Sequence, residues 1–490
     1  MHALVDIEHV SLFLPGDASQ TLVLHDIVWT VKRGAHCALL GPNGSGKSTL
    51  LRLLRGELWP AKGHIRWQGP DGPEESPLTG RYLTALVSPL QQETYQRQAW
   101  DLSGRDLLLT GFEDTPLLYT QADAALEDAV KTMARSLHIE GLLERRLPTF
   151  SQGQLRLLLL GRALLRKPAL LLLDEYDDGL DTRYQHIFFD VLATYADHCT
   201  VIMSAHRPAS IPRWCAGRRY MREGRLFTDP PLAPAQSQAP AVPLKQYSTP
   251  RRLEDNDSAL LELENVCVYI DRTKVLHNIT WSLHRGENWR ITGANGSGKS
   301  TLLRLLAGDE FVADGGHLTR ILPGEGGTVV TLEAVRRGIR LVSDLSQTLY
   351  GYDLNALHMV CTGFDNSIGV YRQFSNAEFA EARAAIKLLF PEMEPPALTH
   401  LEKQSIRQLS SGQLRRLFLA RALMGKPDIL LLDEPCSGLD ASARRGYLHL
   451  LDVLAERDIQ VIFVSHHDDD APLCINREAQ MENGRLRIVY

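Results

Sequence analysis

The stretch Gly41-Pro42-Asn43-Gly44-Ser45-Gly46-Lys47-Ser48-Thr49 recurs almost unchanged as Gly293-Ala294-Asn295-Gly296-Ser297-Gly298-Lys299-Ser300-Thr301. Each copy is a complete phosphate loop of the form GxxxxGK[ST]. Each follows a short apolar run (Cys37–Leu40; Trp289–Thr292) and leads into a leucine-rich one (Leu50–Leu54; Leu302–Leu306). A loop between a strand and a helix can turn its N–H groups toward phosphate oxygens, and the helix adds its positive end. In that setting Lys47 and Lys299 reach the β- and γ-phosphates, while Ser48 and Ser300 hold Mg²⁺. Two such loops predict two bound nucleoside triphosphates.

The loops begin 252 residues apart, about half of the 490-residue chain, and the rest of the sequence repeats in the same order at similar spacings, 255 to 260 residues. Glu8–Phe13 matches Glu264–Tyr269, and Leu86–Gln92 matches Leu341–Gln347. Phe150–Gln154 matches Leu409–Gln413, Leu171–Glu175 matches Leu430–Glu434, and Ser204–His206 matches Val464–His466. A period this long means two domains rather than a solenoid. We place the first at 1–228 and the second at 258–490. Between them, at 229–257, six prolines from Pro230 to Pro250 interrupt any helix or central strand. This segment reads as an extended linker whose reach lets the second domain face the first; a linker of no consequence beyond its length is the plainer reading.

The composition, 44% apolar and 23% charged, is globular. No apolar stretch reaches the length of a membrane-spanning helix: the richest, Leu155–Leu173, is cut by Arg156, Arg162, Arg166 and Lys167. Met1–Asp6 show no basic patch or leader, so export is not expected. Seven cysteines without a C-x-x-C pair argue against a disulfide framework or zinc site and suit a reducing compartment. A net charge of −6 disfavours general nucleic-acid binding, so none is expected. The expected location is the cytoplasm, or the cytoplasmic face of the inner membrane as a peripheral protein.

The leucine runs ending in Asp174-Glu175 and Asp433-Glu434 read as buried parallel strands that deliver two carboxylates at their C-terminal ends, where open α/β sheets place ligands. Asp174 and Asp433 then hold Mg²⁺, and Glu175 and Glu434 polarise the attacking water. A core strand ending in a helix cap is the bland alternative; an upstream phosphate loop in each half weighs against it. Ser151-Gln152-Gly153-Gln154 and Ser410-Ser411-Gly412-Gln413 each precede an Arg-rich helix expected to be amphipathic. A Ser-x-Gly turn at a helix start is an anion cradle or simply a good N-cap. Both copies stand 23 residues before the Asp of the carboxylate pair. His206 and His466, each after a Val-Ile strand, suit a hydrogen bond to a γ-phosphate. A metal site at His466–Asp470 is the weaker reading, because the first copy keeps only its histidine. Phe13 and Tyr269 stack on a base or pack locally.

Phosphate loop, glutamine after Val-Ser, Ser-x-Gly-Gln, Leu-Leu-Leu-Asp-Glu, Gly-Leu-Asp and histidine, in that order, resemble an ATP-binding-cassette (ABC) ATPase twice over. The resemblance implies an α/β fold: two P-loop nucleotide-binding domains in tandem, each with a mixed-sheet core and a helical subdomain. It implies ATP and Mg²⁺ as ligands and an intramolecular, head-to-tail pairing of the cassettes with two composite sites. One combines Gly41–Thr49, Gln92, Asp174, Glu175 and His206 with Ser410, Gly412 and Gln413. The other combines Gly293–Thr301, Gln347, Asp433, Glu434 and His466 with Ser151, Gly153 and Gln154. In the family's pattern Ser48, Gln92 and Asp174, or Ser300, Gln347 and Asp433, surround the metal. Asp181 and Asp440 match the loop linking the sites, and Phe13 and Tyr269 the adenine-stacking position. Gln152 and Ser411 depart from the usual first glycine of the signature, and Tyr176 stands where proline is usual. Both sites are expected to hydrolyse ATP, the one beside Tyr176 more slowly.

A cassette pair without membrane spans implies a partner. One class is the motor of a transporter, docking on separate permease subunits through the segments after Gln92 and Gln347. The other is a soluble tandem mechanoenzyme, translation-factor-like or repair-associated. The linker is short and Pro-rich, unlike the long basic segment of translation factors, and no iron–sulfur cysteine cluster is present. Thr362–Tyr371 and Ser465–Arg477 resemble the molybdate-transport ATPase family ModF (PhrA). That resemblance implies import of an oxyanion; with 24 residues after His466, the C-terminal oxyanion-binding domain of single-cassette molybdate ATPases is not expected here.

Overall fold

The computed structural model describes residues 2–15, 20–98, 100–119, 121–176, 182–205, 211–231, 259–270, 272–343, 353–437, 439, 441–465 and 471–489. The chain divides into two compact units, Met1–Ala233 and Pro234–Tyr490. Nearly all of the Pro-rich segment lies outside the described residues.

The first unit opens with a long antiparallel pair, β1 (Ala3–Pro15) and β2 (Gln20–Lys32), extended by β4 (Lys62–Gly69) and β5 (Gly72–Glu74) into a sheet ordered β2-β1-β4-β5. Between β2 and β4 come β3 (Cys37–Leu40) and helix α1 (Lys47–Leu54). Strands β6 (Thr84–Val87), β7 (Leu170–Leu173), β8 (Thr200–Ala205), β9 (Gly217–Arg222) and β10 (Arg225–Phe227) join β3 in a second sheet, ordered β10-β9-β3-β8-β7-β6. It is parallel except for β10. Helices α2 (Pro77–Leu83), α3 (Pro89–Gln98), α4 (Gly104–Glu113), α5 (Ala124–Ser136), α6 (Gln152–Leu165) and α7 (Thr182–Ala196) complete the unit.

Strand β7 shows why a run of leucines belongs here. Successive side chains leave a strand on opposite faces. Leu170 and Leu172 join a core with α1 and the antiparallel sheet, while Leu171 and Leu173 join a separate core with α4, α5 and α6. Both faces are covered, so no polar alternation survives in the sequence. Helix α6 differs from the expected amphipathic helix: 12 of its 14 residues are buried, Arg156 and Arg162 among them. It lies between the sheet and α4 and α5, so no face is left to water.

The second unit repeats the plan. An antiparallel sheet β12-β11-β14-β15 is formed by β11 (Ala259–Ile270), β12 (Thr273–His284), β14 (His317–Leu322) and β15 (Gly327–Thr328). The other sheet, β16-β17-β18-β13-β19-β20, contains β13 (Trp289–Thr292), β16 (Ile339–Ser343), β17 (Ile429–Asp433), β18 (Gln460–Val464), β19 (Arg477–Glu482) and β20 (Arg485–Ile488). Helix α8 (Lys299–Ala307) follows β13 as α1 follows β3. Ile429 and Leu431 again face one core, and Leu430 and Leu432 the other.

Candidate functional site

Strand β3 stops at Leu40 and α1 starts at Lys47, so the phosphate loop fills the turn at the C-terminal edge of the parallel sheet. The turn needs glycine at two places. A Cβ on Gly41 would lie 2.2 Å from the carbonyl oxygen of Met221 in β9, and one on Gly293 would lie 2.3 Å from that of Met481 in β19. Gly46 and Gly298 cap the following helices at φ 101° and 104°, a conformation that side chains resist.

Lys47 is 4% exposed and its Nζ donates to the carbonyls of Gly41 and Pro42 at 2.8 and 2.9 Å. Lys299 does the same with Gly293 and Ala294 at 2.7 and 2.9 Å. Both ammonium groups therefore sit over their own loops. Ser45 Oγ and Ser297 Oγ are buried without a hydrogen-bond partner among the described residues. An unsatisfied buried hydroxyl costs on the order of 1–3 kcal/mol, and a phosphate oxygen would supply the missing partner. The two loops thus fit a bound polyphosphate on the same orphaned donor.

Asp174 follows β7 and is buried; its Oδ1 accepts a hydrogen bond from Ser204 Oγ of β8 at 2.7 Å. Ser48 also hydrogen-bonds this carboxylate. Burial pushes the Asp174 carboxyl above the usual carboxylate range and the charge of Glu175 adds to this; the bonds from Ser204 and Ser48 and the charge of Lys47 pull the other way. The next residue, Glu175, is left-handed at φ 45°. For a side chain larger than hydrogen this costs about 1–2 kcal/mol. Its N–H donates to Ser204 Oγ at 2.8 Å and its carbonyl accepts from Arg156 at 2.8 Å. Arg156 Nε also donates to Gln92 Oε1 at 2.8 Å. Ser48, Asp174 and Glu175 line a cavity of about 710 Å³. Hydroxyl, carboxylate and amide oxygens are the hard ligands Mg²⁺ takes, so Ser48, Asp174 and Gln92 fit that ion in kind.

In the second unit Asp433 pairs with Val464 across β17 and β18, and Glu434 turns at φ 47° with its N–H donating to the Val464 carbonyl at 3.1 Å. The loop residues from Gly293 to Thr301 occupy the same turn as their counterparts.

Ser151 and Ser410 are N-caps closed by capping boxes with Gln154 and Gln413. Gly153 packs so closely on Tyr184 that a Cβ would lie 2.9 Å from its ring, whereas Gly412 has room. Phe13 is half-buried beside Leu12, whose cross-strand partner Leu24 touches Gly46. Tyr269 is 53% exposed with Lys274 Nζ 6.0 Å from its ring centre. Both aromatics thus lie near the end of the hairpin that abuts the loop. Tyr176 is fully buried and packs on Phe188 and Phe189 of α7. His206, His466, Gln347, Asp181 and Asp440 lie outside the described residues. Ser204 was not singled out from the sequence. Its only signal there is its place two residues before His206, and the second half has valine at that position.

The family described as "ABC transporter" matches residues 24–177 and 276–437. The "ABC transporter ATP-binding protein ModF" of Escherichia coli (strain K12) is 30% identical over 486 residues, covering 94% of each chain. The "Xylose import ATP-binding protein XylG" of Burkholderia cenocepacia (strain HI2424) is 24% identical over 484 residues, covering 95% of this chain and 90% of that one. A "Model of ribosome-bound archaeal Pelota and ABCE1" aligns with a TM-score of 0.61 at 18% identity, over 99% of this chain and 78% of that one, a likeness of fold alone. Both halves carry the phosphate loop, the Ser-x-Gly-Gln helix start and the carboxylate pair, and the chain belongs to the ATP-binding-cassette family as a tandem ATPase.

Proposed function

We propose that the chain is the Mg²⁺-dependent ATP-hydrolysing motor of an importer for molybdate or a related oxyanion, working with separate permease subunits at the cytoplasmic face of the membrane. The observation that carries the hydrolytic part is the corner where Ser48, Asp174 and Ser204 are hydrogen-bonded beside Glu175, next to a phosphate loop with an orphaned buried hydroxyl. Ser48, Gln92 and Asp174 would hold Mg²⁺, which would supply positive charge against the β- and γ-phosphates. Lys47 leaves its loop carbonyls for the phosphate oxygens. Glu175, fixed by its strained turn, orients the attacking water and takes its proton. Ser300, Gln347, Asp433, Glu434 and Lys299 play these parts in the second site, with His206 and His466 on the γ-phosphates. Ser410, Gly412 and Gln413 complete the first site, and Ser151, Gly153 and Gln154 the second, with Asp181 and Asp440 between them. Phe13 and Tyr269 hold the adenines.

The transport part rests on the 30% identity to ModF and on the protein's lack, among the described residues, of any helix long and apolar enough to cross a membrane. Permease contact falls on Glu93–Thr120 and Thr348–Tyr371, of which 348–352 lie outside the described residues; in the first unit Thr94, Tyr95, Trp100, Asp114 and Pro116 of this stretch line the cavity. Substitutions there should break membrane association and spare ATPase activity. The test compares molybdenum content of a deletion strain under molybdate limitation with its ribosome profile. Lower molybdenum supports the importer; unchanged molybdenum with altered ribosome association replaces it with a soluble tandem ATPase.

A further inference from the structure

Arg156 holds two parts of the first site at once, and neither is near it in sequence. It is 4% exposed, in the second turn of α6. Its Nε donates to Gln92 Oε1 on α3, and a terminal nitrogen donates to the carbonyl of Glu175, both at 2.8 Å. A guanidinium presents its donors in a rigid fork, so two acceptors held by one fork are fixed relative to each other. The acceptors here are the amide oxygen suited to the metal and the peptide of the suggested hydrolytic carboxylate. The peptide on the other side of the Glu175 Cα is held by Ser204, whose hydroxyl oxygen accepts the Glu175 N–H. With N–H and carbonyl both held, the left-handed turn at φ 45° is fixed and with it the direction in which the carboxylate leaves the backbone.

A buried arginine can serve only to satisfy stray carbonyls, and the second unit provides the comparison. Arg415 occupies the matching place on its helix, 8% exposed, and donates to the carbonyl of Pro435, the residue after Glu434, at 3.2 Å. The grip on the carboxylate turn is therefore present in both halves, and in the first it falls on the glutamate itself.

We propose that Arg156 is a positioning residue for hydrolysis at the first site, setting Glu175 and Gln92 relative to each other from the helix that carries Ser151 and Gly153. It makes the start of α6 mechanically continuous with the carboxylate, so a ligand engaged there acts on Glu175 through one side chain. The inference rests on the reading of Glu175 as the hydrolytic carboxylate.

The test uses the full chain in a Glu434→Gln background, so that turnover comes from the first site. Arg156→Met should lower kcat by on the order of tenfold to a hundredfold, the scale of a small misplacement of a reacting group. KM for ATP and binding of a fluorescent ATP analogue should stay within about twofold of the parent, because the phosphate loop is untouched. Arg156→Lys, which keeps the charge but not the fork, should recover part of kcat. Unchanged kcat in Arg156→Met, or kcat lost together with nucleotide binding in both variants, would overturn the proposal. Glu175→Gln in the same background separates the two readings. If Glu175→Gln leaves turnover intact, the assignment of the carboxylate fails. If it abolishes turnover while Arg156→Met does not lower it, only the positioning role fails.

Discussion

The hydroxyl of Ser204 donates to the Asp174 carboxylate at 2.7 Å, and the same oxygen accepts the N–H of Glu175 at 2.8 Å. One side chain thus ties the carboxylate proposed to hold the metal to the backbone of the residue proposed to activate water. At the same position in the second half stands Val464, which has no hydroxyl and whose backbone carbonyl accepts the Glu434 N–H. The two sites, alike in motif, are built differently one layer out.

Removing that tie should be felt in both stability and turnover. Ser204→Ala leaves a buried carboxylate with one donor fewer and should cost about 1–3 kcal/mol. It should also slow the first site several-fold in a Glu434→Gln background. Thermal unfolding and steady-state ATPase assays check this; an unchanged melting temperature and rate would mean that the hydroxyl does not organise the corner.

Asp174 has a folded-state pKa raised by burial and by Glu175. A raised carboxyl pKa gives stability that is fully present below the unfolded value, about 3.9, and is lost as pH rises through the folded value. At neutral pH the metal-free protein therefore carries a penalty there. Asp174→Asn should raise the metal-free melting temperature near pH 7, with the gain shrinking toward pH 4, while removing the first site's share of the stabilisation by Mg²⁺ and ATP. Melting curves with and without both ligands decide it, and a uniformly lower metal-free melting temperature would contradict the burial argument.

Glu175→Gln together with Glu434→Gln should retain ATP binding and lose on the order of 10²-fold or more in turnover, the scale of a lost general base. Near-normal steady-state hydrolysis in the double variant would remove both glutamates from the mechanism.

Shared sites predict crossed effects. Ser410→Arg should abolish the turnover left in a Glu434→Gln background, where only the Lys47 site works. In a Glu175→Gln background, where only the Lys299 site works, it should change little. Equal loss in both backgrounds would point to a fold defect, and loss only in the second to sites confined to single units.

Much of this was legible in the letters, because the features are local. A phosphate loop is a run of nine residues whose glycines answer to backbone clashes a few ångströms away, such as Gly41 against Met221. Ser151 caps the helix that Gln154 helps to start, three residues on. A strand covered on both faces has to be apolar at every position, so Leu170–Leu173 announces itself and places Asp174 and Glu175 at its end. Fold class, repeat and the two carboxylate pairs follow from such short-range rules.

The contacts that tune the site do not. Arg156 meets Gln92 across 64 residues and Glu175 across 19, and Ser204 meets Asp174 across 30. Which serine or arginine meets a given carboxylate depends on strand order and on where α6 is wedged. Burial of α6 on all sides turned an expected amphipathic helix into a core element and gave Arg156 no route to water. Tyr176 reads as a departure from pattern, yet the fold accommodates it against Phe188 and Phe189. The sequence by itself determined the chemistry each half can attempt, because motif residues act through the backbone of their own segment. Only the tertiary structure decided how rigidly each carboxylate is held, because that depends on partners brought together by the sheet.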